Sequence, residues 1–94
     1  MPDEVKIVVL GDFNAGYHSH WAVDAALFHA ANALNLRVEP RWLPTPSLLE
    51  SNAEDVLAGF DGLWASPGSP YASFEGMLRG IEFARRRDWP FVAT

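Results

Sequence analysis

The 94 residues contain no cysteine, which excludes disulfides, thiolate metal sites and a cysteine nucleophile within them. Basic residues are scarce. Seven Lys and Arg stand against twelve Asp and Glu, for a net charge of -5. An acidic chain of this kind is a poor partner for nucleic acid, because phosphate binding needs a basic face. No apolar run approaches the roughly 18 residues that cross a bilayer. The acidic start Met1-Pro2-Asp3-Glu4 leads straight into a predicted strand and has no signal-peptide pattern. Repeats, linkers and low-complexity segments are also missing, so the chain reads as one domain at most. The expectation is a soluble, cytoplasmic protein without a cofactor, membrane segment or nucleic-acid partner.

What is present is ordinary for a globular chain, with 49% hydrophobic and 20% charged residues. Val5 to Leu10 is a short β-branched apolar run closed by Gly11 and Asp12, the pattern of a strand buried on both faces of a parallel sheet. Gly11 to Gly16 is a turn-rich connection. From Ser19 to Leu34, the residues Trp21, Ala22, Ala25, Ala26, Phe28, Ala30, Ala33 and Leu34 recur at helical spacing, with Ser19 as N-cap and Asn35 as a left-handed end. Arg37 to Leu43 alternates as a half-buried strand, and Pro40 assigns it to a sheet edge. Pro44 and Pro46 break the chain before a short helix over Asn52 to Leu57, capped by Asn52.

Phe60-Asp61-Gly62 is a turn into a third strand over Gly62 to Ser66, followed by a loop from Pro67 to Ser73. Ser73 caps a helix with the apolar face Phe74, Met77, Leu78, Ile81 and Ala84, and with Arg85, Arg86 and Arg87 opposing the dipole in its last turn. Phe91 to Thr94 is a fourth strand. Strands that alternate with helices pair in parallel through right-handed crossovers. The fold class is therefore α/β: a flavodoxin-like open parallel sheet with helices on both faces, its first strand central and its second at an edge.

Several stretches carry a more specific signal. They are Lys6-Ile7-Val8-Val9-Leu10-Gly11, then Ala22 to Ala30 (AVDAALFHA), then Leu57-Ala58-Gly59-Phe60-Asp61-Gly62-Leu63, then Ser66-Pro67-Gly68-Ser69, and finally Glu75-Gly76-Met77 with Ile81 to Arg85 and Pro90-Phe91. In order and spacing they resemble the amidotransferase domain of CTP synthases, a class I glutamine amidotransferase, over almost the whole chain. That family approaches its third strand with LKGVDGI, leaves it with VPGG and reaches its nucleophile with PFLGIC. The resemblance implies that residues 1–94 are a partial glutamine amidotransferase-like domain, a truncated three-layer α/β/α unit. It places the nucleophile, a cysteine or selenocysteine, just past Thr94, and the histidine and glutamate partners later still. No catalytic residue then lies within the chain. Gly68 and Ser69 become the oxyanion loop for a small amide substrate such as glutamine.

The sequence departs from the family at three places. Ser69 stands where a second glycine is usual. Pro70-Tyr71-Ala72-Ser73 replaces a glycine- and arginine-containing stretch, and Asp12 replaces a lysine common after the first strand. The other reading is a complete small flavodoxin-like module that binds a partner or a small anion, with Gly68-Ser69 as a tight turn.

Other residues invite plainer readings. His18 and His20 lack a third ligand at metal-ligand spacing. His29 reads as a packing residue near the apolar face of the first helix. Gly11 to Gly16 lacks the Lys-Ser/Thr ending of a phosphate loop. Arg85 to Arg87 reads as a solvated helix end, Asp24 and Glu75 as helix-surface or capping acids, and Trp21, Trp42, Trp64 and Trp89 as packing. Exposed strand edges and apolar faces are sticky, so a homo-oligomer that covers the Phe91 to Thr94 strand is expected.

Overall fold

The computed structural model describes residues 3–67 and 70–94. Strand β1, Glu4–Leu10, is the hub of a four-stranded sheet. It pairs in parallel with β2, Arg37–Leu43, on one side and with β3, Gly62–Ala65, on the other, and β4, Phe91–Ala93, lies beyond β3. The order β2-β1-β3-β4 places the first strand inside and the second at an edge. That is the flavodoxin-like winding expected from the alternating pattern. Pro40 sits opposite Ile7 in the β1–β2 register, on the edge strand where a missing N–H is tolerated.

The period of two divides β1 between two layers. Val8 and Leu10 join Leu48, Leu57, Leu63, Met77, Phe83 and Ala84 in the main core. Val9 is fully buried and, across the register, meets Trp42 and Trp64 on the opposite face. That face is covered by α1, His18–Ala33; the core face carries a 3-10 helix over Thr45–Leu49, α2 over Ala53–Leu57, and α3 over Phe74–Arg87.

Helix α1 differs from its sequence reading in two ways. It starts at His18 with Tyr17 in the cap position and no side-chain cap, so Ser19 lies inside it. The turn is organised further upstream, where the Asn14 side chain accepts the Gly16 N–H at 2.8 Å and the Asn14 carbonyl accepts the Tyr17 N–H at 3.0 Å. The buried face is His20, Val23 and Ala31, while Trp21, Ala22, Ala25, Ala26, Phe28, Ala30 and Ala33 point outward and His29 is exposed. An alanine-rich helix that is apolar nearly all round gives no periodic signal for choosing its inner face. Asn35 has the expected positive φ of 55°.

Helix α3 keeps its expected cap, Ser73 Oγ accepting the Gly76 N–H at 3.0 Å, and ends on Asp88 in the left-handed region. Its inner face is rotated from the one read in sequence. Gly76, Met77, Gly80, Phe83 and Ala84 are buried, whereas Phe74 and Leu78 are exposed. The two glycines bring the helix close enough to touch backbone and β1. Asn52 takes the cap position of α2 but makes no side-chain cap bond. Arg86 and Arg87 both reach Glu54 of α2, at 2.8 and 3.3 Å. These are surface pairs, each of small energetic weight.

Gly76 decides how near α3 can lie. A Cβ there would sit 2.0 Å from the Thr45 carbonyl oxygen, whereas at Gly80 the first obstacle is the Leu10 Cδ1 methyl at 2.6 Å. Helix propensity favours alanine over glycine by about 1 kcal/mol; overpacking against fixed backbone costs about 1–3 kcal/mol or more. Gly76→Ala therefore destabilises the protein by about 2 kcal/mol in urea unfolding, and Gly80→Ala by less, because a leucine methyl can move aside.

Candidate functional site

In an open parallel sheet, the loops leaving the carboxyl ends of the strands converge and form the binding edge. Here the segments after β1, β2 and β3 are Gly11 to Tyr17, Pro44 to Thr45 and Ser66 to Ser73, and hydrogen bonds join all three. Asp12 is at the centre. Its Oδ1 accepts the Thr45 N–H at 2.8 Å, and its Oδ2 accepts the Thr45 hydroxyl at 2.9 Å and the Ala72 N–H at 2.8 Å. Thr45 Oγ1 in turn accepts the Ser73 N–H at 2.7 Å. Thr45 is fully buried. Tyr71 closes the same segment on itself, its hydroxyl donating to the Ser66 carbonyl at 2.8 Å.

His20 holds the other end. It is buried, its Nδ1 accepts the Asn14 N–H at 2.9 Å, and its Nε2 lies 2.9 Å from the Pro67 carbonyl. An amide donor on one nitrogen and a carbonyl acceptor on the other assign the neutral Nε2–H tautomer. Aromatic rings pack around this histidine. Phe13 lies edge-on to Trp21 and Trp42, with centroids at 5.2 and 5.0 Å, and the Trp42 ring is 4.9 Å from that of His20.

This arrangement separates the candidate residues. Gly68 and Ser69, the expected oxyanion residues, lie outside the described residues; their neighbours Pro67, Tyr71, Ala72 and Ser73 are the anchored ones. His18 and His20 do not converge: His20 is committed to backbone groups while His18 is exposed. Among the described residues, no cluster of three or more His, Cys, Asp or Glu could hold a metal ion. The Gly11 to Gly16 turn makes no phosphate cradle. The N–H groups of Gly11, Asn14 and Gly16 are all used internally, and a carboxylate sits in its midst.

Ser66 is buried and its Oγ is without a hydrogen-bond partner among the described residues. His20 has no nitrogen left for it, so the two do not form a nucleophile–base pair. Asp24 accepts the Trp42 indole N–H at 2.9 Å, and Glu75 pairs with Arg79 at 3.3 Å. Asp12 and His20 are the anchoring residues that sequence reasoning undervalued. The one signal for Asp12 was its departure from the family's lysine; His20 gave none beyond its place at a predicted helix start.

A groove of about 610 Å³ runs between α2 and α3, lined in part by Leu48, Glu54, Leu57, Leu78 and Arg86. It contains none of the anchoring residues. Three of its four carboxylates, Glu54, Glu75 and Glu82, are paired with arginines, which leaves Glu50 as the carboxylate outside those ion pairs.

Comparison with known proteins places this edge in context. No family model matches the chain. It is 29% identical over 90 residues to the CTP synthase of Campylobacter jejuni, covering 96% of this chain and 17% of that protein. It is 32% identical over 89 residues to the CTP synthase of Microcystis aeruginosa, covering 95% and 16%. The fold superposes with a TM-score of 0.81 on the glutaminase domain of Trypanosoma brucei CTPS, solved with bound acivicin, at 22% identity over 95% of this chain and 35% of that one. The likeness to CTP synthases read from the motifs thus extends along nearly the whole chain, and the α/β fold matches as well. The chain spans about 17% of the length of the curated relatives it matches.

Partial burial pushes the Asp12 carboxyl upward, but the N–H groups of Ala72 and Thr45 and the Thr45 hydroxyl outweigh it and hold the group below the usual aspartate value. A depressed carboxyl contributes stability that is complete above its unfolded pKa of about 3.9 and is lost as pH falls through the folded value. Asp12→Asn accordingly costs about 1–3 kcal/mol at neutral pH, toward the lower end because Thr45 is buried but the Ala72 N–H is exposed. The gap from the unmodified chain narrows below about pH 4, as read by thermal unfolding across pH 2.5–7.

Proposed function

We propose that this chain contributes the first part of a glutamine amidotransferase domain of the CTP-synthase kind, acting on glutamine or a related amide. The observation that carries this reading is end-to-end similarity to CTP synthases, 29% over 96% of the chain, on a sheet whose carboxyl edge is tied together by side chains. In this reading Pro67 to Ser73, with Gly68 and Ser69 at its centre, receives the substrate carbonyl. A thiol or selenol from outside these residues attacks the amide carbon. The carbonyl oxygen becomes an oxyanion held by backbone N–H groups, collapse expels ammonia, and water releases the acyl group as the acid. Fixed donors aimed at such an oxyanion contribute about 3–4 kcal/mol.

Because no cysteine is present, the 94-residue chain by itself releases no ammonia from glutamine above a buffer control. The reading is tested in a chimera, with this chain replacing the matching 90-residue stretch of the Campylobacter jejuni CTP synthase. A folded chimera that hydrolyses glutamine supports it; a folded chimera that is inert to glutamine and simple amides overturns it.

A homo-oligomer is the second part of the proposal. Trp21 and Phe28 are about half exposed on α1, at 55% and 53%, and Val92 of the outer strand β4 is 50% exposed. Apolar groups exposed on a helix, and separately along a sheet edge, are the kinds of surface that association covers. Light scattering at tens of micromolar, the range in which weak interfaces form, should give at least twice the chain mass of 10.4 kDa. A clean monomer sinks the idea.

A further inference from the structure

The segment from Pro67 to Ser73 is short, but it is held at each end by side chains from distant parts of the chain. At its start, the Pro67 carbonyl accepts from His20 Nε2 at 2.9 Å, across 47 positions in sequence. At its end, the Ala72 N–H donates to Asp12 Oδ2 at 2.8 Å, across 60 positions, and the Ser73 N–H donates to Thr45 Oγ1 at 2.7 Å. Asp12 and His20 both belong to the stretch that follows β1. Thr45 is the relay: it gives its hydroxyl proton and its N–H to the Asp12 carboxylate and offers its oxygen lone pair to Ser73. A carboxylate suits this place because it accepts on every side and donates nothing. A carboxamide would turn one of its two ends into a donor and leave an amide of the segment without an acceptor. A lysine, the residue that the family tends to carry here, would face these donors with further donors.

We propose that Asp12, acting through Thr45 and Ala72, and His20, acting through Pro67, are positioning residues that fix Pro67 on one side and the Tyr71 to Ser73 stretch on the other, and so govern how this edge meets a substrate. The substrate half of this statement rests on the amidotransferase reading; the anchoring half does not. Positioning matters because a displacement of about 1 Å in a binding loop can cost on the order of 100-fold in rate.

The test uses backbone ¹⁵N relaxation of the 94-residue chain, which reports order within the folded state and is indifferent to global stability. In the unmodified chain, Tyr71, Ala72 and Ser73 should show order parameters near the rigid-backbone value of about 0.85. In Asp12→Asn, Ala72 and Ser73 should fall below about 0.6, while Val8 in β1 and Phe83 in α3 stay rigid. Thr45→Val, which removes one hydroxyl and keeps the shape, should loosen Ser73, and Thr45→Ser should restore it. His20→Gln should loosen Tyr71 without changing Phe83. Unchanged order at 71–73 in folded Asp12→Asn and Thr45→Val overturns the proposal, and so does a uniform loss of order along the chain.

In an active chimera, Asp12→Asn should lower kcat/KM for glutamine at least about 10-fold. An unchanged kcat/KM despite a mobile segment overturns the positioning role and leaves the amidotransferase reading standing. A chimera that is inert before any substitution overturns that reading, and the substrate half of this proposal with it, while the relaxation data decide the anchoring by themselves.

Discussion

One carboxylate holds the carboxyl edge of this sheet together. Asp12 leaves the central strand and takes three donors, two from the segment after β2 and one from the segment after β3. A parallel sheet leaves its βα connections as separate excursions, each returning on a helix, and nothing in strand pairing fixes one loop against another. Their mutual placement needs side chains. The Asp12 carboxylate supplies it with charge-assisted hydrogen bonds, about twice the strength of neutral ones. Thr45 is fully buried beside it, where water cannot substitute for a lost partner.

The packing of α3 is tuned to the same point. The close approach of Gly76 to the Thr45 carbonyl brings the helix start and the 3-10 segment into backbone contact. That places Ser73, at the cap of α3, within reach of the Thr45 hydroxyl. Ser73 therefore serves two ends at once, its Oγ capping Gly76 and its N–H donating to Thr45. On the other face of the sheet, the aromatic packing of Phe13 and Trp42 around His20 gives the histidine its fixed orientation. A ring held in this way can serve as a neutral bracket between two backbone segments.

The strand pattern was plainly legible because β1 and β3 are short apolar runs and Arg37 to Leu43 alternates. Pro40 marked the edge for a reason of hydrogen-bond chemistry that no packing could override. The N-cap of α3 was legible too, since Ser73 acts through local backbone geometry. What could not be read was set by tertiary contact. In α1, alanines surround the helix, and only docking on the sheet selects His20, Val23 and Ala31 as the inner face. In α3, glycines carry no hydrophobic signal, yet Gly76 and Gly80 define the buried side; Phe74 and Leu78 looked like core and are not. The 3-10 turn at Thr45–Leu49 lay hidden under two prolines. The candidate edge was legible as a place, through the motif around Ser66 to Ser69, but its supports were not: the partners of Asp12 lie 33 and 60 positions away.

Those separations have a bearing on how the protein is made. Ribosomes add roughly 5–20 residues per second, so Asp12 exists for about 3–12 s before Ala72 has been synthesised. In that interval strands β1 and β2 can pair, and Thr45 becomes available before Ala72 does. The edge can complete its set of contacts only once Ala72 and Ser73 have been laid down. An order of assembly is thus written into the spacing of one aspartate and its donors: scaffold first, binding edge last.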